Sequence, residues 1–217
     1  MSEVPSEKIA LEAAWYGDGN HFPFYGSPQG SQPSHRMKSA NTLKTPLSNT
    51  ALDALVSGVP LGSRIAARKN LPIIAKALER EGILNERVLA YALATIEHET
   101  AGTFEPIEEI QGRRSARRLG YEGGTDYFGR GFIQLTHLRN YRSMGERIGV
   151  GDKLVKNPEL ALNPEISARI LAAFFKENGV AQLASQGAFI DARQPINPDY
   201  QGVFIADMAY KYLDEII

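Results

Sequence analysis

The chain has 217 residues, enough for one domain with a sizeable core or for a domain carrying an N-terminal extension. Lys and Arg number 24 against 25 Asp and Glu, so nothing in the overall balance points to a nucleic-acid coat or a polybasic membrane anchor, and any charge effect is local. There is no Cys, which rules out a disulfide framework, a thiolate zinc site and a Cys nucleophile.

Residues 1–20 contain acids and no apolar run of signal-peptide type, and no stretch approaches the roughly 18–20 apolar residues of a membrane span. The expectation is a protein made in the cytoplasm without a Sec-type signal and not inserted into a membrane. Residues 1–65 read as an irregular arm. Their Gly, Pro, Ser and Asn content is densest over 16–50, a stretch preceded by Trp15 and broken by Tyr16, Phe22, Phe24 and Tyr25. These aromatics either pin the arm to the domain or form a sugar-stacking patch, and burial is the commoner use.

A domain over 66–217 is expected to begin its regular structure near Asn70. Asn70 reads as an N-cap with Pro72 in the first turn; Ile73, Ile74, Ala77 and Leu78 share a face, and Gly82 stops the helix. Asn85 opens a second helix whose apolar residues Val88, Leu89, Ala92, Leu93 and Ile96 recur at helical spacing up to Gly102. Glu97, His98 and Glu99 then occupy its last turn. From Tyr127 to Leu135, Gly129 and Gly131 weaken any helix while Phe132, Ile133 and Leu135 favour an extended or hairpin segment. Helix returns around His137, again from Asn163-Pro164 to Gly179, and finally from about Tyr200 to Leu213. The sum is mostly helix with one small β element.

Glu99 ends an apolar helix, Gly102 and Pro106 prevent its continuation, and Glu108 follows a forced change of direction that could return it across a cleft. Two facing carboxyls suit glycosidic cleavage. One, protonated, gives its proton to the leaving oxygen; the other, ionised, activates water or attacks the sugar carbon. Desolvation beside the apolar helix favours Glu99 as the acid, while Glu108, in a loop with Glu105 and Glu109, stays ionised more easily. Spacing alone leaves the alternative of solvated glutamates open. A zinc-protease reading of His98-Glu99 fails, because the position for the second His is Gly102. Arg113, Arg114, Arg117 and Arg118 form a basic cluster that is either a solvated face or an attraction for an acidic polymer.

The blocks His98-Glu99-Thr100, Phe104 and Glu108, the run from Tyr127-Phe128-Gly129-Arg130 to Gln134-Leu135-Thr136, and Asn140-Tyr141 together resemble glycoside hydrolase family 19, which holds chitinases and phage endolysins. The resemblance runs from about Asn70 to the C-terminus. It implies a mainly α, bilobed, lysozyme-like fold with a small β-hairpin and a central cleft. It also implies an inverting mechanism without cofactor or metal, Glu99 as general acid, Glu108 as general base, and Thr136 holding the attacking water. Gln134, Asn140 and Tyr127 match substrate-binding positions, and His98, beside the acid, and Arg193 are expected to bind substrate with them. Asn197, with Arg193 just before it, resembles a substrate-contacting Asn, although Pro198 stands where the family usually has Gly.

Within that family the short Glu99–Glu108 loop, the lack of Cys and the compact chain resemble cell-wall members. The expected function is therefore a monomeric peptidoglycan hydrolase of endolysin or muramidase type, reaching the wall after release or by signal-independent export. Its partner would be the polysaccharide alone, with no nucleic acid. The alternatives are a chitinase acting on N-acetylglucosamine polymers and a non-catalytic cell-wall binding module. The presence of both Glu99 and Glu108 counts against the module.

Overall fold

Ser48 caps the first helix of the computed structural model, which describes residues 43, 45–198 and 201–216; its side chain accepts the N–H of Ala51. This helix, α1 (Asn49–Gly58), buries Leu55 and Val56 and lies inside the stretch expected to be irregular, so that expectation is corrected from residue 49 onward. The arm's aromatics at 15–25 lie outside the described residues.

A 3₁₀ turn (Leu61–Ser63) leads into α2 (Arg64–Arg80). Asn70 is therefore not a cap, and Pro72 sits in the helix interior, where it omits one N–H from the ladder. Asn70 is instead buried, and its amide donates to the carbonyl of Phe104 at 2.8 Å and to Glu105 Oε2 at 3.1 Å.

Asn85 caps α3 (Glu86–Glu99) by accepting from Val88 N–H. Every residue from Val88 to Ile96 is buried, so α3 is apolar all round and forms the centre of the core. Around it lie β1 (Ile107–Glu108), α4 (Gly112–Leu119), β2 (Arg130–Gly131), α5 (Leu138–Arg147), α6 (Lys153–Lys156), a 3₁₀ segment (Pro158–Leu162), α7 (Pro164–Glu177), α8 (Val180–Ser185), α9 (Phe189–Ala192) and α10 (Gly202–Ile216). The described residues cluster as one unit. The most extensive helix contact is α10 along α3, and α7 packs on α2.

Glu81 joins three helices. Arg147 of α5 reaches its Oε2 at 2.6 Å and Lys176 of α7 at 3.5 Å. Burial pushes the Glu81 carboxyl up, but the two cations outweigh it and hold it below its usual value.

The β element differs from a hairpin confined to 127–135. β1 pairs with β2 antiparallel, with Ile107 opposite Gly131 and Glu108 opposite Arg130, and Leu135 folds back to bridge Arg130. The small sheet thus carries the segment of Glu108 onto the segment of Gly129 to Gln134. Gly131 is required there: its φ is +87°, and a Cβ would lie 2.6 Å from Ser167 Oγ of α7, the hydroxyl that accepts the N–H of Phe132. Among the described residues no helix is long and apolar enough to cross a membrane.

Candidate active site

The path from Glu99 to Glu108 is made by local hydrogen bonds that force an unusual backbone. Thr100 ends α3, Ala101 and Gly102 turn left-handed, and Gly102 N–H returns to Glu97 O at 2.6 Å. Phe104, fully buried, also has positive φ (57°). That conformation is held by Thr100 Oγ1, which accepts its N–H, and by Asn70, which donates to its carbonyl. The non-glycine residues with positive φ among those described, Ala101, Phe104, Gln111, Gln134 and His137, all fall between 101 and 137. Strain of this kind persists only where surroundings over-determine it, and it gathers at functional sites.

Glu99 is buried, its side chain 5% exposed, and Arg193 Nη1 donates to its Oε1 at 2.7 Å. Arg193 is itself 1% exposed. The guanidinium is enclosed with the carboxylate, because a buried charge needs a buried counter-charge. Two opposed influences therefore act on Glu99: burial favours the neutral acid and Arg193 the ionised one.

Glu108 is 47% exposed and accepts from Arg130 Nε at 3.0 Å. Arg130 is buried. It also donates to the carbonyl of Asp126 and to Tyr141 Oη, and lies 3.6 Å from the Phe128 ring centroid. Tyr141 in turn donates to Phe128 O; burial pushes its hydroxyl up to about 12, against the pull of Arg130, so it stays neutral. Arg130 is thus fixed before it meets Glu108.

Glu109 is no solvated loop acid. It is buried, takes the N–H of Gly129 on Oε2 at 3.0 Å and the Tyr121 hydroxyl on Oε1 at 3.2 Å, while its own N–H donates to Gly129 O. Alternation along 107–109 turns Glu108 out and Glu109 in.

Gln134 is also buried. Its amide nitrogen donates to Ile107 O and Gly131 O, each at 3.0 Å, bracing the sheet, and its Oε1 has no hydrogen-bond partner among the described residues. Thr136 follows the Arg130–Leu135 bridge and is half-buried, as is Asn140 in the first turn of α5. Tyr127 donates its hydroxyl to Val155 O. His137 accepts the N–H of Glu122 on Nδ1; burial, with Arg139 nearby, holds the ring below its usual pKa against the Glu122 charge. Asn197 is half-buried at the end of a turn in which its N–H donates to Arg193 O. His98 is half-buried beside Glu99, its ring 6.3 Å from that of Phe204. Among the described residues no cluster of His, Asp and Glu gathers as a metal site.

The model of glycoside hydrolase family 19, described as chitinase class I, matches residues 63–184, more than half of the chain. The chain belongs to glycoside hydrolase family 19. It is similar to the acidic endochitinase pcht28 of Solanum chilense, 54% identical over 50 residues, which cover 23% of this chain and 20% of that protein. It is also similar to endochitinase At2g43610 of Arabidopsis thaliana, 29% identical over 142 residues, covering 64% and 50%. The chain spans half or less of the length of these curated relatives.

Among solved structures, chitinase C from Streptomyces griseus aligns with a TM-score of 0.59 at 19% identity, over 78% of this chain and 76% of that one. A class IV family 19 chitinase from Zea mays aligns with a TM-score of 0.55 at 19% identity, over 81% and 93%. At such identities these likenesses establish the fold, which is the lysozyme-like one of the family.

In this family 19 chain, the two neighbouring acids are expected to separate cleanly on substitution. Glu108→Gln should cost turnover by roughly a hundred-fold or more with little change in melting temperature, because Glu108 is half in water and Arg130 keeps its other partners. Glu109→Gln should cost roughly 1–3 kcal/mol of stability through lost charge-assisted bonds, with turnover per folded molecule largely kept. Thermal melts beside initial rates decide it, and the reverse ranking would exchange the two roles.

Proposed function

We propose that this chain hydrolyses β-1,4 bonds between N-acetylglucosamine units of chitin, with inversion at the anomeric carbon. The observation that carries the reading is the asymmetry of the two carboxyls. Glu99 is buried on the end of a rigid core helix, and Glu108, nine residues on, is half-exposed on a braced sheet. Glu99 gives its proton to the glycosidic oxygen as the C–O bond breaks. Water attacks the anomeric carbon from the opposite face, and Glu108 takes a proton from it. Thr136, one residue beyond the bridge to Arg130, is suited to hold that water. Inversion calls for carboxyls about 6.5–9.5 Å apart, leaving room for the water.

Chitin is preferred to peptidoglycan because the similar proteins are named chitinases. Incubation with N-acetylglucosamine hexamer and with purified peptidoglycan, read by mass spectrometry and by NMR of the first product formed, tests this. Cleavage of the hexamer to an initial α-anomer is expected. Release of muropeptides with an intact hexamer would overturn the chitin reading.

One observation favours the wall as a second substrate. Arg113, Arg114, Arg117 and Arg118 are all exposed on α4, which follows β1 closely, and Arg113 pairs with Asp126 where both side chains are exposed. If they steer an anionic polymer, Arg114→Gln with Arg117→Gln should weaken wall binding and flatten its salt dependence while hexamer cleavage stays near the parent rate. Equal losses on both substrates would make the cluster structural.

A further inference from the structure

Helix α10 buries Ile205, Ala206, Met208, Ala209 and Tyr212, and its opposite face carries exposed Asp207, Lys211 and Asp214. At its N-terminal end that polar face changes character: Val203 and Phe204 are 58% and 57% exposed. Packing of the helix does not account for an aromatic ring there, since Phe204 lies off the buried stripe.

The first turn of α10 is fixed at two points around Glu99. A Cβ at Gly202 would lie 3.6 Å from Arg193 Cβ, so the turn abuts the residue paired with the Glu99 carboxylate. Two residues on, the Phe204 ring meets His98, the chain neighbour of Glu99, at 6.3 Å and 68° between planes. An exposed apolar surface is thereby held against His98, the chain neighbour of Glu99, and next to the backbone side of Arg193, its ion-pair partner.

We propose that Phe204, with Val203 beside it, is a stacking ledge for one N-acetylhexosamine ring adjoining the bond to be cut. The C–H face of a pyranose suits the face of an aromatic ring, whereas charged side chains on the rest of the helix face offer no such surface. The ledge discriminates by position, since a ring seated on it brings the neighbouring glycosidic oxygen toward the acid. This inference rests on the proposed chitin-hydrolysing reading.

The test uses the full chain carrying Glu99→Gln, so that binding is read without turnover, and N-acetylglucosamine hexamer as the probe in calorimetry. Adding Phe204→Ala should weaken binding roughly ten-fold, with an unchanged melting temperature, and Phe204→Trp should restore it. In the active chain, Phe204→Ala should also shift the distribution of hexamer products. Unchanged affinity and products in a chain that cleaves the hexamer overturn the ledge alone. A parent that neither binds nor cleaves the hexamer overturns the chitin reading and the ledge with it.

Discussion

Glu99→Gln is expected to lower turnover about a thousand-fold or more, because an amide keeps the shape of the acid and has no proton to deliver. The position makes the loss hard to bypass. Glu99 is enclosed at the end of α3, and the covered site leaves little room for a solvent acid to replace it. The same substitution carries a structural cost, since Arg193 is buried and loses its anionic partner. Gln Oε1 can still accept from Arg193 Nη1, so the cost should fall below the roughly 3–5 kcal/mol of a fully broken buried pair. Initial rates on N-acetylglucosamine hexamer, normalised to folded protein by circular dichroism, separate the two effects. Activity within a few-fold of the parent would remove Glu99 from the acid role.

The parts of the fold that can be read from sequence are those with sustained periodicity and clear caps. Asn85 and Asn163 open α3 and α7 where expected, because each starts three or more turns of apolar repeat with a side-chain acceptor in place. Helix α1 escapes notice, since ten residues flanked by Pro, Ser and Gly carry too little pattern. Helix α4 escapes for another reason. Its Arg-rich sequence has almost no apolar stripe, and it is held by Gly112 packing against Phe128. Asn70 misleads because a polar residue before an apolar run looks like a cap, whereas its amide is used 34 residues away on Phe104.

The site divides in the same way. Glu99 and Glu108 are visible as residue types at a spacing, and the family resemblance assigns their roles. The partners that tune them are not visible locally: Arg193 lies 94 residues from Glu99, and no periodic signal links the two. Glu109 was legible in principle. Once 107–109 is taken as extended, side-chain alternation alone puts Glu109 on the inner face and Glu108 on the outer.

Arg193→Met tests what that long-range pair does, and it should be the most destabilising of the substitutions considered. At neutral pH it leaves the Glu99 carboxylate buried without its cation, a loss of about 3–5 kcal/mol. For a chain of this size that is on the order of ten degrees in melting temperature. The pH dependence has a definite sign. Without the guanidinium, Glu99 loses the buried cation that favours its ionised form while its burial remains, which favours the neutral acid in the folded variant. The variant is therefore penalised where the unfolded chain ionises this group and the folded chain resists doing so, which is above about pH 4.3. Below that pH the penalty fades, and the parent loses its own ion pair as Glu99 protonates, so the two melting curves should converge. In activity, a more firmly held proton moves the alkaline limb of the rate profile to higher pH, although a mispositioned acid lowers the plateau. Melts of parent and variant at pH 4 and pH 7.5 are the direct measurement. A gap that is small, or equal at both values, would mean that packing rather than charge holds Glu99 in place.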